Sequence, residues 1–325
     1  MPNAQRGDVG AFLTGPKSLI PTDRDNVVIA IAGREVRLTN LRKPFWPELG
    51  VTKGGLLQYY LEVAPVLLPH IRDRAMVMRR YPNGAAGPSF FMKEAPTPRP
   101  PWIRICPVDH DGKVVRFPVI DDEPSLLWVI NLGCIDLNQW YARCDDLNRP
   151  DYLHFDLDPS DGAEFALVRQ AGLLVRDALA TLGMKPLVKT SGSRGLHVYV
   201  PIVRGPTQDQ VLAFTKALAT ELAARHPKVL TVEYRKSTRP RNRVLVDYRQ
   251  NAWGQTLASI YSVRPRPLAT VSTPVSWDEV ARGAEIEDFR IDNVRDRIAR
   301  GGDLWKPLLA VRGRTNLGAF FGSGQ

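Results

Sequence analysis

The chain has 325 residues, 44% of them hydrophobic, and a formal net charge of +10. This length and apolar content suit one large domain or two smaller ones with a substantial core. No run approaches about 18 uncharged apolar residues, and the N-terminus has no apolar segment followed by a small-residue cleavage site, which predicts neither a membrane span nor a secretory signal. We therefore expect a cytoplasmic protein without a membrane partner, and the excess of Lys and Arg favours a polyanionic one.

In the first half we expect short strands and two helices. Residues 1–27 are rich in Gly, Pro and polar residues without periodicity, which predicts a mobile tail. The run VVIAIAGREVRLTN predicts a β-hairpin turning at Ala32–Gly33, and TKGGLLQYYLEVAPVLLPHI predicts a helix capped by Thr52 and broken at Pro65. Residues 76–118 predict short strands, and EPSLLWVINLGCIDLNQW predicts a helix leading into a strand.

The second half has a more regular pattern. YLHFDLDP predicts a strand, EFALVRQAGLLVRDALATLG a helix closed by Gly183, and PLVKTSGSRGLHVYVPI two strands around a Gly-rich turn. TQDQVLAFTKALATELAARHP predicts another helix and RVLVDYRQN another strand. This β-α-β-β-α-β order is typical of the split βαβ arrangement, whose antiparallel sheet has one open face. We expect a mixed α/β fold with two packed halves in one catalytic unit.

The three cysteines, Cys106, Cys134 and Cys144, are an odd number without C-x-x-C spacing. Such a set indicates neither a disulfide framework nor a zinc site. We expect buried free thiols in a reducing compartment.

Three aspartates lie at strand positions in the second half. Asp156 and Asp158 are one residue apart, so their carboxylates share a face and repel each other unless a cation lies between them. Asp247 interrupts the apolar run VLV of another strand. One such Asp is more often a cap or turn residue, but three favour a metal site. Oxygen ligands select Mg²⁺ or Mn²⁺, and three carboxylates can hold two ions about 3.5–4 Å apart for phosphoryl displacement.

The segment TSGSRGLHVYV combines glycines with hydrogen-bond donors. Gly192 and Gly195 let the backbone approach a ligand closely. The donors are Ser191, Ser193, Arg194 and His197. A triphosphate fits such a turn, and the alternative is an ordinary hairpin turn with a His on the following strand. No G-x-x-x-x-G-K-[ST] motif is present, which excludes a P-loop.

The ordered segments HFDLDP, SGSRGLHVYVPI and VLVDYRQNAWGQTLASIYSVRPRP resemble the three motifs of the archaeo-eukaryotic primase superfamily, in particular the polymerase domain of bacterial ligase D. The resemblance includes STPVSWDEV and GGDLWKPLL and implies a primase-polymerase domain over 28–311, with an RRM-like second half and tails at 1–27 and 312–325. Since the chain carries no ligase or nuclease segment, it resembles a stand-alone actinobacterial primase-polymerase. The family works in non-homologous end joining.

The resemblance assigns roles in the second half position by position. Asp156, Asp158 and Asp247 fall on the family's catalytic, metal-binding carboxylates, which implies two Mn²⁺ or Mg²⁺ ions as cofactors. The residues implied to contact the incoming nucleotide are Ser191, Arg194, His197 and Arg264.

In the first half, NLRKPFW…TKGG resembles a pocket for the 5′-phosphate on the downstream side of a gap, through Asn40, Lys43 and Lys53. RRYPNG…SFFMK resembles a template-reading segment with Arg80, Phe90 and Phe91. Two lysines and an amide can bind one phosphate, whereas scattered surface lysines are the alternative. Core packing is the default for at least one phenylalanine ring, and base stacking is the role expected of the other.

Two positions depart from the family pattern. The family has E-x-H-x-W ahead of the metal strand, with the His near the ribose, and here the run DLNQW places Asn138 at that position. The segment KSTRPRNRVLVD is one residue longer than expected before Asp247, so neither Arg239 nor Arg241 is assigned to the template.

The sequence thus predicts a nucleotidyltransferase that uses a DNA template and NTPs or dNTPs to fill short gaps or extend broken ends bearing a 5′-phosphate. The resemblance implies a preference for ribonucleotides, with Asn138 and Ser191 pairing the 2′-hydroxyl. Implied protein partners are a Ku-type protein and a separate DNA ligase, and DNA binding implies association with the nucleoid. Two alternatives are a two-metal nuclease, which directs water at the phosphate, and a non-catalytic DNA-end-binding module.

Overall fold

The computed structural model describes residues 18–110 and 112–321. Strands of the first half are β1 (Val27–Ile31), β2 (Arg34–Leu38), β3 (Pro44–Trp46), β4 (Val51–Thr52), β5 (Met76–Arg80), β6 (Phe90–Met92), β7 (Ile105–His110), β8 (Lys113–Pro118) and β9 (Cys134–Trp140). Strands of the second half are β10 (Tyr152–Pro159), β11 (Leu187–Thr190), β12 (Leu196–Pro201), β13 (Leu230–Thr231), β14 (Val244–Asp247), β15 (Thr256–Ala258) and β16 (Pro274–Val275). The helices are α1 (Lys53–Ile71), α2 (Glu123–Asn131), α3 (Phe165–Thr181), α4 (Gln208–Arg225), α5 (Trp277–Arg282), α6 (Val294–Gly301) and α7 (Lys306–Leu309). Within the described residues, no helix combines the length and apolar character that a membrane span requires.

A six-stranded sheet carries the second half in the order β13-β14-β10-β12-β11-β16. Strand β10 pairs antiparallel with β12 on one side and with β14 on the other, and β12 pairs antiparallel with β11. The second and third strands of the β-α-β-β-α-β succession thus form a hairpin that lies beside the first strand, as in the split βαβ arrangement. The predicted order and antiparallel pairing are confirmed for β14, β10, β12 and β11, and the additional strand β13 pairs parallel with β14.

Helix α3 packs on one face of this sheet, and polar side chains of the strands lie on the other face. A Cβ added at Gly172 of α3 would lie 3.1 Å from Leu196 Cδ1 and 3.9 Å from Leu157 Cδ1, so these leucines point toward the helix. Because side chains alternate along a strand, their neighbours Asp156 and His197 point to the opposite face.

The first half contributes a four-stranded antiparallel sheet in the order β15-β9-β5-β6. Strand β15 comes from the second half and pairs with β9, so this sheet joins the two halves. Helices α1 and α2 pack on each other beside it. The capping box of Asp122 and Ser125 begins α2, and the Thr52 side chain accepts from Gly55 N–H to cap α1, as predicted.

The predicted break at Pro65 is wrong, because α1 runs through Pro65 and Pro69 to Ile71. A proline inside a helix removes one backbone hydrogen bond and costs about 3 kcal/mol. Leu67 and Leu68, which follow it, are buried in the core. Tertiary packing of the helix outweighs the local preference of proline.

The folded part extends beyond the predicted bounds of 28–311 at both ends. Ile20 is buried, and its N–H donates to Gln58 Oε1 at 3.1 Å. Near the other end, Leu317 is fully buried. The remaining parts of the two predicted tails, 1–17 and 322–325, lie outside the described residues.

Cys106 and Cys144 form a disulfide, with their Cα atoms 5.8 Å apart across 38 positions of sequence. The prediction of free thiols is therefore wrong for this pair, and Cys134 is a free, buried cysteine. Cys106 packs in a small apolar cluster with Phe117 and Trp140, and Cys144 lies against it. This long-range packing brings the two sulfurs together, and cysteine spacing alone does not reveal it.

Candidate functional site

Four buried side chains form a row across the face of the six-stranded sheet that lies opposite α3. Lys189 of β11 lies opposite His197 of β12, His197 lies opposite Asp156 of β10, and Asp156 lies opposite Asp247 of β14. Directly paired residues of antiparallel strands point to the same face, with Cβ atoms about 4.5–5.5 Å apart. The strand register therefore brings together the predicted His and two of the predicted metal-binding aspartates, with a lysine at the end of the row.

The ionised forms of the two β10 carboxylates, Asp156 and Asp158, are destabilised by their mutual repulsion and by burial. Burial, followed by repulsion from Asp247, raises the pKa of Asp156 to about 7. Repulsion from Asp156, followed by burial, raises the pKa of Asp158 to about 7, against the attraction of Arg194. A divalent cation would relieve this repulsion.

A cation would be held here by the carboxylate oxygens of these aspartates, and not by a coordination site that is already formed. Among the described side chains, no group of three or more His, Cys, Asp or Glu residues converges closely enough to hold an ion as it stands. Oδ1 of Asp156, however, is buried and lacks a hydrogen-bond partner within the described part of the chain. Buried carboxylate oxygens of this kind are the ligands that Mg²⁺ and Mn²⁺ take.

Asp247 is oriented by its neighbours. The Tyr234 hydroxyl donates to Asp247 Oδ1. The Arg249 N–H donates to the same oxygen at 2.8 Å, and Gln250 Nε2 donates to Oδ2 at 3.0 Å. The Arg249 guanidinium lies 3.7 Å from the centroid of the Tyr234 ring. Tyr234 thus supports a predicted site residue, and no sequence pattern pointed to it.

The Gly-rich turn between β11 and β12 packs directly against β10. A Cβ at Gly195 would overlap Leu157 O, so the turn needs glycine there. Ser191 Oγ accepts from the N–H groups of Ser193 at 3.1 Å, Arg194 at 3.2 Å and Gly195 at 2.9 Å. Because this oxygen acts as acceptor three times, the hydroxyl proton of Ser191 can be donated to a ligand.

Arg264 links the turn to the four-stranded sheet. Its Nη1 donates to Ser191 O at 3.0 Å, and its Nε lies 3.0 Å from Oδ1 of Asp136 on β9. Asp136 is buried, with Arg79 Nη1 at 3.6 Å. Burial raises the pKa of Asp136, and the two arginines oppose the rise. Asp136 therefore positions the arginine that was predicted to bind the triphosphate.

Sequence reasoning missed Asp136, although a signal was present. An acidic residue interrupts the apolar run CIDL at this position, and the same pattern singled out Asp247. The predicted Asn138 lies half-buried two residues further along β9, on the same face, and its Nδ2 donates to Asp136 O at 3.3 Å. Asn138 also pairs with Ala258 of β15, whose carbonyl accepts from Lys189 Nζ at 2.9 Å, so it lies near the lysine end of the row.

A cleft of about 360 Å³ opens beside the turn. Its lining includes Arg194 and Arg266, together with the acidic Asp161 and Glu287. The charge of Arg194 lowers the pKa of Asp158, which places this arginine near the carboxylates. Within this mixed lining, Arg194 is therefore the cation placed to contact phosphates that extend away from the row.

A second cationic region lies at the N-terminus of α1. Lys53 is buried, and its Nζ donates to Thr39 O at 2.7 Å. Burial, followed by repulsion from Lys43 and Arg80, lowers the pKa of Lys53 to about 8. Arg80, predicted as a template residue, therefore shares the surroundings of the predicted phosphate lysines.

The loop before β3 folds over this helix start. Asn40 adopts a left-handed backbone conformation with φ of 55°, and its carbonyl accepts from Lys43 N–H at 3.1 Å. The Lys43 carbonyl in turn accepts from Lys53 N–H at 2.9 Å. The structure thus brings Asn40, Lys43 and Lys53 together. This region is separate from the row of side chains on the six-stranded sheet.

Phe90 and Phe91 are 45% and 63% exposed, so the expectation that one of them packs in the core is wrong. They lie on the edge strand β6, where the Arg80 guanidinium lies 5.3 Å from the Phe90 ring centroid and the Arg79 guanidinium 5.3 Å from that of Phe91. Since side chains alternate, the two rings lie on opposite faces of β6. Phe90 is on the face of the Lys53 region, and Phe91 is on the face of Asp136.

The family model described as "LigD, primase-polymerase domain" matches residues 52–305. The chain belongs to this family. The multifunctional non-homologous end joining protein LigD of Mycolicibacterium smegmatis is 34% identical over 275 residues, which cover 84% of this chain and 36% of that protein. The bifunctional LigD of Bacillus subtilis is 30% identical over 269 residues, covering 82% of this chain and 43% of that protein. Among solved structures, the polymerase domain from Mycobacterium tuberculosis ligase D in complex with DNA has a TM-score of 0.80 and 32% identity, covering 85% of this chain and 98% of that one.

As a LigD primase-polymerase domain, the chain spans between 36% and 43% of the length of these two relatives. The resemblance drawn from the motifs is confirmed, and so is the mixed α/β fold with antiparallel sheets. The matched residues include the whole row of buried side chains on the six-stranded sheet and Lys53, whereas Asn40 and Lys43 precede them.

Proposed function

We propose that this LigD primase-polymerase domain is a template-dependent nucleotidyltransferase that fills short gaps or extends broken DNA ends during non-homologous end joining. The observation that carries this proposal is the meeting of the three aspartates, the Gly-rich turn and Arg264 on one face of the six-stranded sheet. The relatives named for end joining and the relative solved with DNA support the same function.

The carboxylates of Asp156, Asp158 and Asp247 would hold two Mg²⁺ or Mn²⁺ ions. When bound, such ions supply charge that acidifies the primer 3′-hydroxyl and neutralises the pyrophosphate leaving group. The chain itself contributes orientation: Tyr234 and Gln250 fix the Asp247 carboxylate, as supporting hydrogen bonds do at metal sites.

Binding of the incoming nucleotide is the proposed role of the cationic groups around the turn. Arg264, held between Ser191 O and Asp136, and the exposed Arg194 are placed to neutralise a triphosphate. The Ser191 hydroxyl and His197 add donors on the same side. No protein side chain has to act as nucleophile, since the primer hydroxyl attacks the α-phosphate.

A preference for ribonucleotides is the proposed consequence of Asn138 and Ser191. A site that pairs the 2′-hydroxyl disfavours the deoxy analogue, because its own polar groups are then left unpaired. Asn138 is half-buried at the edge of the pocket and offers both a donor and an acceptor.

DNA is proposed to contact the region around α1 and β6. Asn40, Lys43 and Lys53 would bind the 5′-phosphate of the downstream strand, where charge-assisted hydrogen bonds are strong. The exposed rings of Phe90 and Phe91, beside Arg80 and Arg79, would stack on bases or sugars. A Ku-type protein and a separate ligase are proposed partners in the same pathway.

Extension of a gapped, 5′-phosphorylated duplex with each NTP and dNTP in Mg²⁺ or Mn²⁺ tests this function. We expect addition that follows the templating base, and its loss in Asp158→Asn. Shortening of the primer instead would indicate the two-metal nuclease. Binding to the gap with no change in primer length under either metal would indicate a non-catalytic end-binding module.

A further inference from the structure

Lys189 lies at the end of the charged row, and neither the motifs nor the family match explains it. Its side chain has 0% exposure, and it lies opposite His197 in the pairing of β11 with β12. Burying a charged group is unfavourable unless its hydrogen-bonding groups are paired. The partners of this lysine therefore indicate what it does.

The Lys189 Nζ has three neighbours that can accept a hydrogen bond. Ala258 O lies at 2.9 Å, His197 Nδ1 at 2.8 Å, and Ser272 Oγ is the third. A carbonyl can only accept, and Ser272 accepts from the lysine because its own proton goes to Thr190 O at 2.9 Å. An ammonium has three N–H groups, so the third one goes to Nδ1 of His197.

The contact with His197 does not depend on the charge of the lysine. Burial lowers the pKa of Lys189, with Arg264 acting in the same direction and Asp156 against it. As a neutral amine, Nζ would accept from a protonated Nδ1 instead of donating to an unprotonated one, over the same 2.8 Å. In both cases Lys189 holds Nδ1, and Nε2 of His197 faces Asp156 Oδ1 at 3.3 Å.

We propose that Lys189 is a positioning residue of the nucleotide pocket, whose Nζ holds Nδ1 of His197 so that Nε2 of the ring is directed toward Asp156 and the phosphates of the incoming nucleotide. A hydrogen bond to one ring nitrogen fixes the orientation of a histidine. The consequence for nucleotide binding rests on the function proposed above, whereas the orientation of His197 does not.

The contact is measured directly by long-range ¹H–¹⁵N NMR on the full chain labelled at histidine, with Mg²⁺ present and no nucleotide. The chain has five histidines, and comparison with His197→Gln identifies the signals of His197. We expect a hydrogen-bonded Nδ1 in the wild type. An Nδ1 signal typical of a solvated imidazole overturns the proposal, and this measurement needs no folded Lys189 variant.

The functional consequence is measured with Lys189→Met, which keeps the length of the side chain and removes all three donors. We expect loss of the hydrogen-bonded Nδ1 signal and a nucleotide KM raised about tenfold, with kcat changed by less than about threefold, because a binding contact is lost. The control is Lys185→Met, the same change at an exposed lysine of the same segment. It leaves the His197 signals and KM unchanged.

A double variant separates action through His197 from a general structural effect. In a His197→Gln background, Lys189→Met is expected to raise KM no further. An equal rise in both backgrounds contradicts the proposal. If the wild type shows the hydrogen-bonded Nδ1 of His197 but performs no nucleotide-dependent extension, the proposed function fails while the positioning of His197 by Lys189 stands.

Discussion

Lys53 and Lys189 are both buried, but their ammonium groups are satisfied to different degrees. Lys189 has three hydrogen-bond partners in the protein and no charged side chain among them. Within the described residues, Lys53 Nζ has one hydrogen bond, to Thr39 O, and the repulsion of Lys43 and Arg80 outweighs the attraction of Asp25.

The difference separates two uses of a buried lysine. A lysine whose Nζ has three partners in the protein is fully used in positioning its neighbours. One that retains donors and lies among more like than opposite charge is stabilised by an external anion. We therefore assign Lys189 to the inside of the nucleotide pocket and Lys53 to a phosphate of the DNA.

The largest effect is expected from a substitution that removes a metal-binding carboxylate and leaves Lys53 and Lys189 in place. Asp247→Ala should lower the rate of extension by about 10³-fold or more, because a carboxylate that serves the metal ions is lost. Affinity for gapped DNA should change little, since it comes from Lys and Arg on phosphates. Primer extension and fluorescence anisotropy of labelled DNA measure the two quantities. Extension at a rate close to that of the wild type would refute the metal assignment.

The second effect tests the Lys53 side of the comparison. Lys43→Ala combined with Lys53→Ala should erase the preference for a gap with a downstream 5′-phosphate over one with a 5′-hydroxyl. Each charged partner of the phosphate contributes about 1.5–3 kcal/mol, so the preference should fall by at least about tenfold. Competition binding with the two DNAs measures it, and an unchanged preference would exclude this region as the phosphate pocket.

The third effect uses the lowered pKa of Lys53. Its charged form binds phosphate, and its pKa is about 8, so the charged fraction in free protein falls about tenfold between about pH 7 and pH 9. The 5′-phosphate preference should therefore decrease with rising pH across this interval. Because Lys43 lowers the pKa of Lys53, Lys43→Ala should move the transition to higher pH. A pH-independent preference would mean that Lys53 does not bind the phosphate.

The smallest expected effect concerns a neutral partner in the same pocket as Lys189. Asn138→Ala should narrow the ratio of kcat/KM between ATP and dATP, mainly by weakening ATP. One neutral hydrogen bond contributes about 0.5–1.5 kcal/mol, so the expected change is about two- to tenfold. Steady-state incorporation of each nucleotide opposite a templating T measures the ratio. A wild type that already prefers dATP, or a variant with the same ratio, would remove Asn138 from sugar recognition.

The sequence predicted those site residues that interrupt a local pattern, such as an apolar strand. Asp156 and Asp247 stand out in apolar strands, and His197 follows a Gly-rich turn, so their chemistry was predictable. Their meeting in one row depends on strand register, which is a non-local property. Lys189 directly precedes the Gly-rich segment but was not singled out, because a lysine in a strand is normally exposed.

Tertiary packing explains the remaining differences between the prediction and the structure. The disulfide of Cys106 with Cys144, the exposure of Phe90 and the continuation of α1 through Pro65 all depend on which elements lie next to them. Tyr234 supports Asp247 from a segment 13 residues away, with no periodic or compositional signal. Such contacts follow from the fold and not from local preference.

The most direct test of the account is one gap-filling experiment on matched substrates. The substrates are single-nucleotide gaps with a downstream 5′-phosphate or 5′-hydroxyl, and the proteins are the wild type, Lys53→Met and Lys189→Met. The substitutions are chemically the same, so any difference reports the position of the lysine.

We predict templated, nucleotide-dependent extension by the wild type with a preference for the 5′-phosphate. Lys53→Met should lose that preference at saturating nucleotide, whereas Lys189→Met should keep it and require a higher nucleotide concentration. Absence of nucleotide-dependent extension in the wild type, or loss of the 5′-phosphate preference in Lys189→Met, would contradict the account.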